Sequence, residues 1–314
     1  ARGECGVGYP SGILLSVLLT GNESVMAESS AKKKKKGMKI SRWFAKNFSW
    51  KAFFVGLSAV MLFAAGMVYL FEPYAFRYAY RRIEKMIVRN PQNSSITFPK
   101  EKIVGIDISY YQEDIEWDSV CFRVHPLTKT LTKSSDAPIR NIDFVVAKAT
   151  EGVTIRDPKY IRNKEGAEKR GILFGAYHFF SVNSDPIAQA ENFLKTAQLK
   201  KGNLIPVLDV EVRDRFSRGE LRENVLKWLR HVEKLLGKKP MIYTYAKFHD
   251  EVFCTEEFED YHFWIAHYGV DKPINDCVFW QFTEEGVVYG IKGYVDIDVY
   301  LGSAEHFQDY ILDF

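Results

Sequence analysis

Asp209 and Glu211 close the run Leu204-Ile205-Pro206-Val207-Leu208-Asp209-Val210-Glu211. An apolar run of this kind is expected to be a buried strand, and carboxylates at its exit are costly to shield. Strand side chains alternate, so the two acids point to one face and Val210 to the other. Two close carboxylates in a sheltered place rarely titrate alike. One stays ionised, and the other is pushed up until it holds a proton at neutral pH. That is the minimum equipment for cutting a glycosidic bond. A lone D-x-E is more often a solvated strand end, so the rest of the chain must supply the context.

The elements that would position this pair are legible on both sides of it. Ile103–Asp107, Phe144–Lys148, Ile172–Phe179, Leu204–Glu211, Met241–Thr244, His262–Ala266, Val278–Gln281 and Tyr294–Val299 read as strands. Amphipathic stretches lie between several of them. Asp157-Pro158 and Asp185-Pro186 each pair a capping side chain with a proline for the first turn, and Ser217-Arg218-Gly219-Glu220 is a capping box. Beyond that box Leu221, Val225, Trp228, Val232 and Leu235 recur at helical spacing. Strands alternating with helices predict the α/β class and an irregular TIM-like (β/α) barrel, irregular because its last three strands leave little room for helices. The working residues of such a barrel gather at the C-terminal ends of its strands. Those ends carry Asp107, Lys148 and Glu151, Tyr177 and His178, Asp209 and Glu211, Tyr243, Trp264 and Tyr268, Trp280 and Gln281, and Asp296. Acids do the chemistry and bind hydroxyls, while aromatic faces such as Tyr177, Tyr243, Trp264, Tyr268 and Trp280 can stack on sugar rings. Lys148 reads as a carboxylate partner, Glu151 as a turn residue and His178 as a packed, hydrogen-bonded histidine.

Gly105-Ile106-Asp107-Ile108-Ser109, Lys148-Ala149-Thr150-Glu151-Gly152, Gly175-Ala176-Tyr177-His178-Phe179 and Pro206-Val207-Leu208-Asp209-Val210-Glu211 follow one another in a telling order. Trp264-Ile265-Ala266-His267-Tyr268, Trp280-Gln281-Phe282-Thr283 and Gly293-Tyr294-Val295-Asp296 complete it. Together, across about residues 102 to 303, they resemble glycoside hydrolase family 25, the Chalaropsis-type lysozymes. The resemblance implies a β-1,4-N-acetylmuramidase acting on peptidoglycan glycan strands, with Glu211 as general acid/base, Asp209 assisting, and Asp107 and Asp296 completing the acidic cluster. Two departures stand out. The stretch from Asp118 to Ile142 is longer than the family pattern leads one to expect and reads as a surface loop. Asp298 stands where the family often has Asn, close enough to repel Asp296. The alternatives are a catalytically silent glycan-binding barrel and a chitin-cleaving glycosidase on a related barrel.

Ahead of the barrel, Ala52–Phe71 is twenty residues without a charge, enough helix for roughly 30 Å of hydrocarbon. Lys32–Lys36, Lys39, Arg42, Lys46 and Lys51 precede it, so the expected topology is a single-pass anchor with residues 1–51 cytoplasmic and the barrel periplasmic or extracellular. Residues 72–100 read as a juxtamembrane helix and polar linker, and 101–314 as the catalytic barrel. Because the chain starts at Ala1 and Met26 and Met38 are both plausible starts, residues 1–25 are set aside from this reading. The formal charge of +3 on 314 residues favours no polyanion, and no nucleic acid is implied as partner. Four cysteines without C-x-x-C spacing, and seven histidines without H-E-x-x-H, imply no metal, and no glycine loop implies a phosphate cofactor. Export would permit a Cys254–Cys277 disulfide, although buried free thiols are the simpler expectation. Oligomeric state is not legible.

Overall fold

The computed structural model describes residues 49–71, 90–100, 102–273 and 275–314. The chain divides into two compact units, Ala1–Arg81 and Arg82–Phe314. In the first, α1 (Trp50–Phe71) is a 22-residue helix whose apolar side chains from Phe53 to Phe63 are exposed. The expected span Ala52–Phe71 falls on it. Its side chains are described only as far as Phe63, roughly 20 Å of helix against the ~30 Å of a hydrocarbon core. Among the described residues no helix is long and apolar enough to cross a membrane. The basic segment 1–48 and the juxtamembrane stretch 72–89 lie outside the described residues.

The second unit holds the strands β1 (Asn93–Thr97), β2 (Ile103–Ile108), β3 (Phe122–Arg123), β4 (Thr130–Thr132), β5 (Ile139–Arg140), β6 (Phe144–Glu151) and β7 (Ile155–Arg156). They are followed by β8 (Leu173–Phe179), β9 (Val207–Asp209), β10 (Met241–Tyr245), β11 (Phe263–Ala266), β12 (Phe279–Gly286) and β13 (Val295–Tyr300). The main sheet runs β2-β13-β12-β11-β10-β9-β8-β6, and the β2–β6 pairing closes it into an eight-stranded barrel with β7 folded back on β6. Seven strands are parallel and β13 is antiparallel to both neighbours. The predicted irregularity is located there, because β12 returns directly through β13 with no crossover helix.

Three crossovers carry full helices, α2 (Tyr160–Lys169), α3 (Pro186–Ala197) and α4 (Arg218–Leu236). Asp185 caps α3 through the Ala188 amide with Pro186 at its first position, and Ser217 and Glu220 form the capping box of α4. Asp157 does not cap α2 directly. It sits outside the helix and accepts from the amides of Tyr110 and Lys159, tying the turn after β2 to the start of α2. Leu221, Val225, Trp228 and Val232 of α4 are buried as expected, but Leu235 is 56% exposed at the helix end. Inside the barrel Phe144, Val146, Val207, Met241, Trp264, Phe279 and Tyr300 pack with Phe307, Tyr310 and Leu312 of the C-terminal segment, which fill its floor.

Several expectations change. Leu204–Pro206 is not strand: Leu204 and Ile205 bond Phe174 and Tyr310 through their amides, and Pro206 has no amide to give a ladder. Residues 118–142 are not a plain surface loop. β3 pairs β5, and β4 pairs β1, so the stretch expected to be a polar linker is a strand held by the insertion. Phe122 and Leu131 are fully buried there, Phe98 packs on Phe122 with ring centroids 5.1 Å apart, and Ser94 donates to the Glu285 carbonyl. The three described cysteines are free, and Cys254 is exposed rather than buried.

Candidate active site

β2 and β13 pair antiparallel, with Asp107 directly opposite Asp296. β8 and β10 flank β9, which sets Asp209 between Phe179 and Tyr243. Glu211 lies two residues beyond the end of β9, so the strand aims Asp209 and the following turn carries Glu211. The two nevertheless meet and share a hydrogen bond. All four acids therefore converge on the mouth of the barrel. Asp107 and Asp209 are buried; Asp296 and Glu211 are partly exposed.

Burial is the leading cause of the electrostatics. It raises Asp107, which the neighbouring Asp296 charge raises further, and it raises Asp209, with Glu211 next in effect. Glu211 is raised too, again by burial first. A hydrogen bond between two carboxyls needs a proton on one of them, so the pair keeps one proton above the ordinary carboxylate range. Lys148 counters this by facing both Asp209 and Glu211. A bulge in β6 between Lys148 and Thr150 lets the lysine turn inward, where its Nζ also meets Glu151 Oε2 at 2.6 Å.

Gln281 is the hub of the mouth. Its Nε2 donates to Asp107 Oδ2 at 2.6 Å, and its Oε1 accepts from Tyr243 Oη at 2.9 Å and from Tyr268 Oη. Tyr177 faces Asp107, Asp209 and Asp296. Tyr268, 36% exposed, stands at the rim. The two tryptophans do not join them. Trp264 is 1% exposed and supports the site from below, its Nε1 donating to Asp298 Oδ1 at 3.1 Å. Trp280 lies on the opposite face of β12 from Gln281 and donates to the His267 carbonyl.

The reading at strand ends included Gln281 but gave the substrate-facing role to Trp280 beside it; alternation from a correctly phased neighbour would have chosen Gln281. The same reading missed Tyr110 and Tyr111, an exposed stacked pair with centroids 4.2 Å apart just after β2. Elsewhere His249, Asp250 and Cys254 form the one close set of metal-ligand types among the described residues, with Asn275 Nδ2 already bonded to His249 and Asp250.

An eight-stranded barrel with a single antiparallel strand and four acids at one end is a specific arrangement. Residues 106–291 match the glycosyl hydrolases family 25. The chain belongs to that family. It is a glycoside hydrolase. It is 38% identical over 241 residues to the uncharacterized protein YegX of Escherichia coli strain K12, covering 76% of this chain and 81% of that one. It is 29% identical over 243 residues to Lysozyme M1 of Streptomyces globisporus, covering 71% of this chain and 76% of that one. Among solved structures, a family 25 glycosyl hydrolase from Bacillus anthracis matches with a TM-score of 0.57 and 27% identity, over 70% of this chain and 97% of its own.

Proposed function

We propose that this family 25 enzyme hydrolyses peptidoglycan at the β-1,4 bond between N-acetylmuramic acid and N-acetylglucosamine. The observation that carries the reading is the hydrogen-bonded Asp209–Glu211 pair in a mouth shared with Asp107 and Asp296. The shared hydrogen bond raises Asp209 and lowers Glu211, so the proton rests on Asp209. Glu211, the more exposed member, takes it up as substrate binds and delivers it to the leaving oxygen, then draws a proton from the incoming water. Asp209 is left ionised beside it and orients the acetamido group of the muramic acid. Gln281 holds Asp107 in place, and Tyr177, Tyr243 and Tyr268 wall the cleft, with no separate cofactor assigned a step.

Glu211→Gln keeps the shape and removes the proton. Hydrolysis of purified peptidoglycan by the whole protein is expected to fall by about 10²–10⁴-fold with its melting temperature retained; wild-type turnover would sink the assignment. Digestion is expected to leave muramic acid at the new reducing ends, and chitin to be a poor substrate.

The N-terminal part is read as an anchor. Support comes from the 22-residue helix α1, its exposed apolar side chains and the basic run ahead of it. The barrel then works on the outer side of the bilayer, in the periplasm or beyond.

A further inference from the structure

Asp298 is a fifth acid at the barrel mouth, and the chemistry above gives it no task. It shares a face of β13 with Asp296, one step deeper, and is 0% exposed. In register it stands between Gly105 of β2 and Gln281 of β12. Position 105 has no room for a side chain, since a Cβ there would lie 2.4 Å from the Phe144 ring. The place opposite Asp298 on β2 is thus taken by the Phe144 ring rather than by a polar side chain, and the carboxyl shares a hydrogen bond with Asp107, two residues further along β2.

Its two oxygens are not alike. Oδ1 accepts from Trp264 Nε1 at 3.1 Å. Oδ2 is buried and receives no donor. As a carboxylate, Asp298 would bury a charge against Asp107 and leave Oδ2 unsatisfied, two costs in one place. A proton on Oδ2 removes both, because the charge is gone and the O–H becomes a donor. The titratable groups that face it are Asp107 on β2 and Asp296 on its own strand, while Trp264 and Gln281 face it as neutral groups. Lys148 faces Asp209 and Glu211 instead. Burial and the charges of Asp107 and Asp296 all push the Asp298 carboxyl well above the usual range.

We propose that Asp298 is a positioning residue held as a neutral carboxylic acid, whose Oδ2–H is donated to Asp107 and fixes that carboxylate from below. Gln281 then holds Asp107 from one side and Asp298 from another. The acid does the work that an asparagine amide would do at this position. Its bearing on turnover rests on the reading of the mouth as the substrate cleft; its protonation state does not.

The test compares the whole protein with Asp298→Asn and Asp298→Ala. The infrared spectrum of the wild type at neutral pH is expected to contain the carbonyl stretch of a buried protonated acid that Asp298→Asn removes. Asparagine supplies a neutral donor of the same shape, so it should retain hydrolysis within a few-fold, and alanine should lose at least about tenfold. Exchanging one neutral group for another leaves the pH profile of hydrolysis where it was. Were Asp298 ionised, its removal would lower the neighbouring carboxyls and move the profile to acid by about one unit. An acid-shifted profile, an unchanged infrared spectrum, or an asparagine variant as damaged as alanine would each overturn the proposal. If Asp298→Asn does not fold, the ¹³C shift of the wild-type Asp298 carboxyl decides: it should stay protonated through neutral pH, and titration in the ordinary carboxylate range refutes it. Failure of the Glu211 assignment would leave the infrared and ¹³C results untouched.

Discussion

His178 shows what burial does to a titratable group that chemistry does not use. Gln189 fixes its own amide on the Ser181 and Ser184 carbonyls and the Ser181 amide, so its Oε1 faces His178 Nε2 as an acceptor at 3.1 Å. Nε2 therefore carries the hydrogen, and Nδ1 accepts from Thr150 Oγ1 at 2.7 Å. The ring stacks on Trp228 at 5.6 Å. Burial brings its pKa down to about 4. Between about pH 6.5 and 4 the unfolded chain binds a proton that the native state refuses, so His178 lowers stability as pH falls, by up to roughly 3 kcal/mol. The raised carboxyls Asp209 and Asp298 work the other way, since the native state keeps their protons as pH rises above the ordinary carboxylate range. Urea unfolding of the wild type and His178→Gln from pH 4 to 7 separates the two. The stability of the wild type relative to the variant should decline toward acid, and a gap independent of pH would mean that His178 titrates normally. Residue choice at the site was only half legible from sequence for a related reason. β11 is apolar on both faces and β12 mixes apolar and polar residues on both, so alternation gives parity without phase, and nothing local says that Gln281 faces inward while Trp280 does not.

Among the elements, α4 carries the clearest local signal and packs on the barrel wall through Trp228. Its capping box satisfies amides at the helix start, and Ser217→Ala should cost about 1 kcal/mol in denaturant unfolding. Trp228 lies on its buried face against His178 and Phe193, with centroids 5.6 and 5.5 Å away. Trp228→Ala should cost roughly 3–5 kcal/mol, read as a lower denaturation midpoint with an unchanged slope. A loss below about 1 kcal/mol would show that the α3–α4 layer collapses into the void. All eight barrel strands could be located in the sequence because each is a short apolar run between turn signals. The same rule misread Leu204–Pro206, whose partners are the start of β8 and the C-terminal segment rather than a strand ladder. It also missed β1 and β4, which are polar, short and paired across more than thirty residues. Such pairings leave no periodic trace in either strand.

At the scale of the whole molecule, the proposed anchor and the barrel make different demands on the same chain. A reporter enzyme fused after Phe314 is expected to work only outside the cytoplasm; activity confined to the cytoplasm would refute the topology. The insertion between β2 and β6 bears on where the catalytic unit can be separated from what precedes it. The family match begins at residue 106, and a cut at residue 102 looks harmless by that measure. It would remove β1, leave Thr130–Thr132 as an open strand edge, strip Phe98 from Phe122, and take from Lys133 its bonds to Asn90 and Gln92. An unpaired edge over an uncovered aromatic ring is an invitation to pair with a second chain. A fragment starting at Asn90 should stay monomeric in solution, whereas one starting at Lys102 should aggregate on concentration. For this chain, the smallest piece expected to behave as an enzyme begins a dozen or more residues before the family match does.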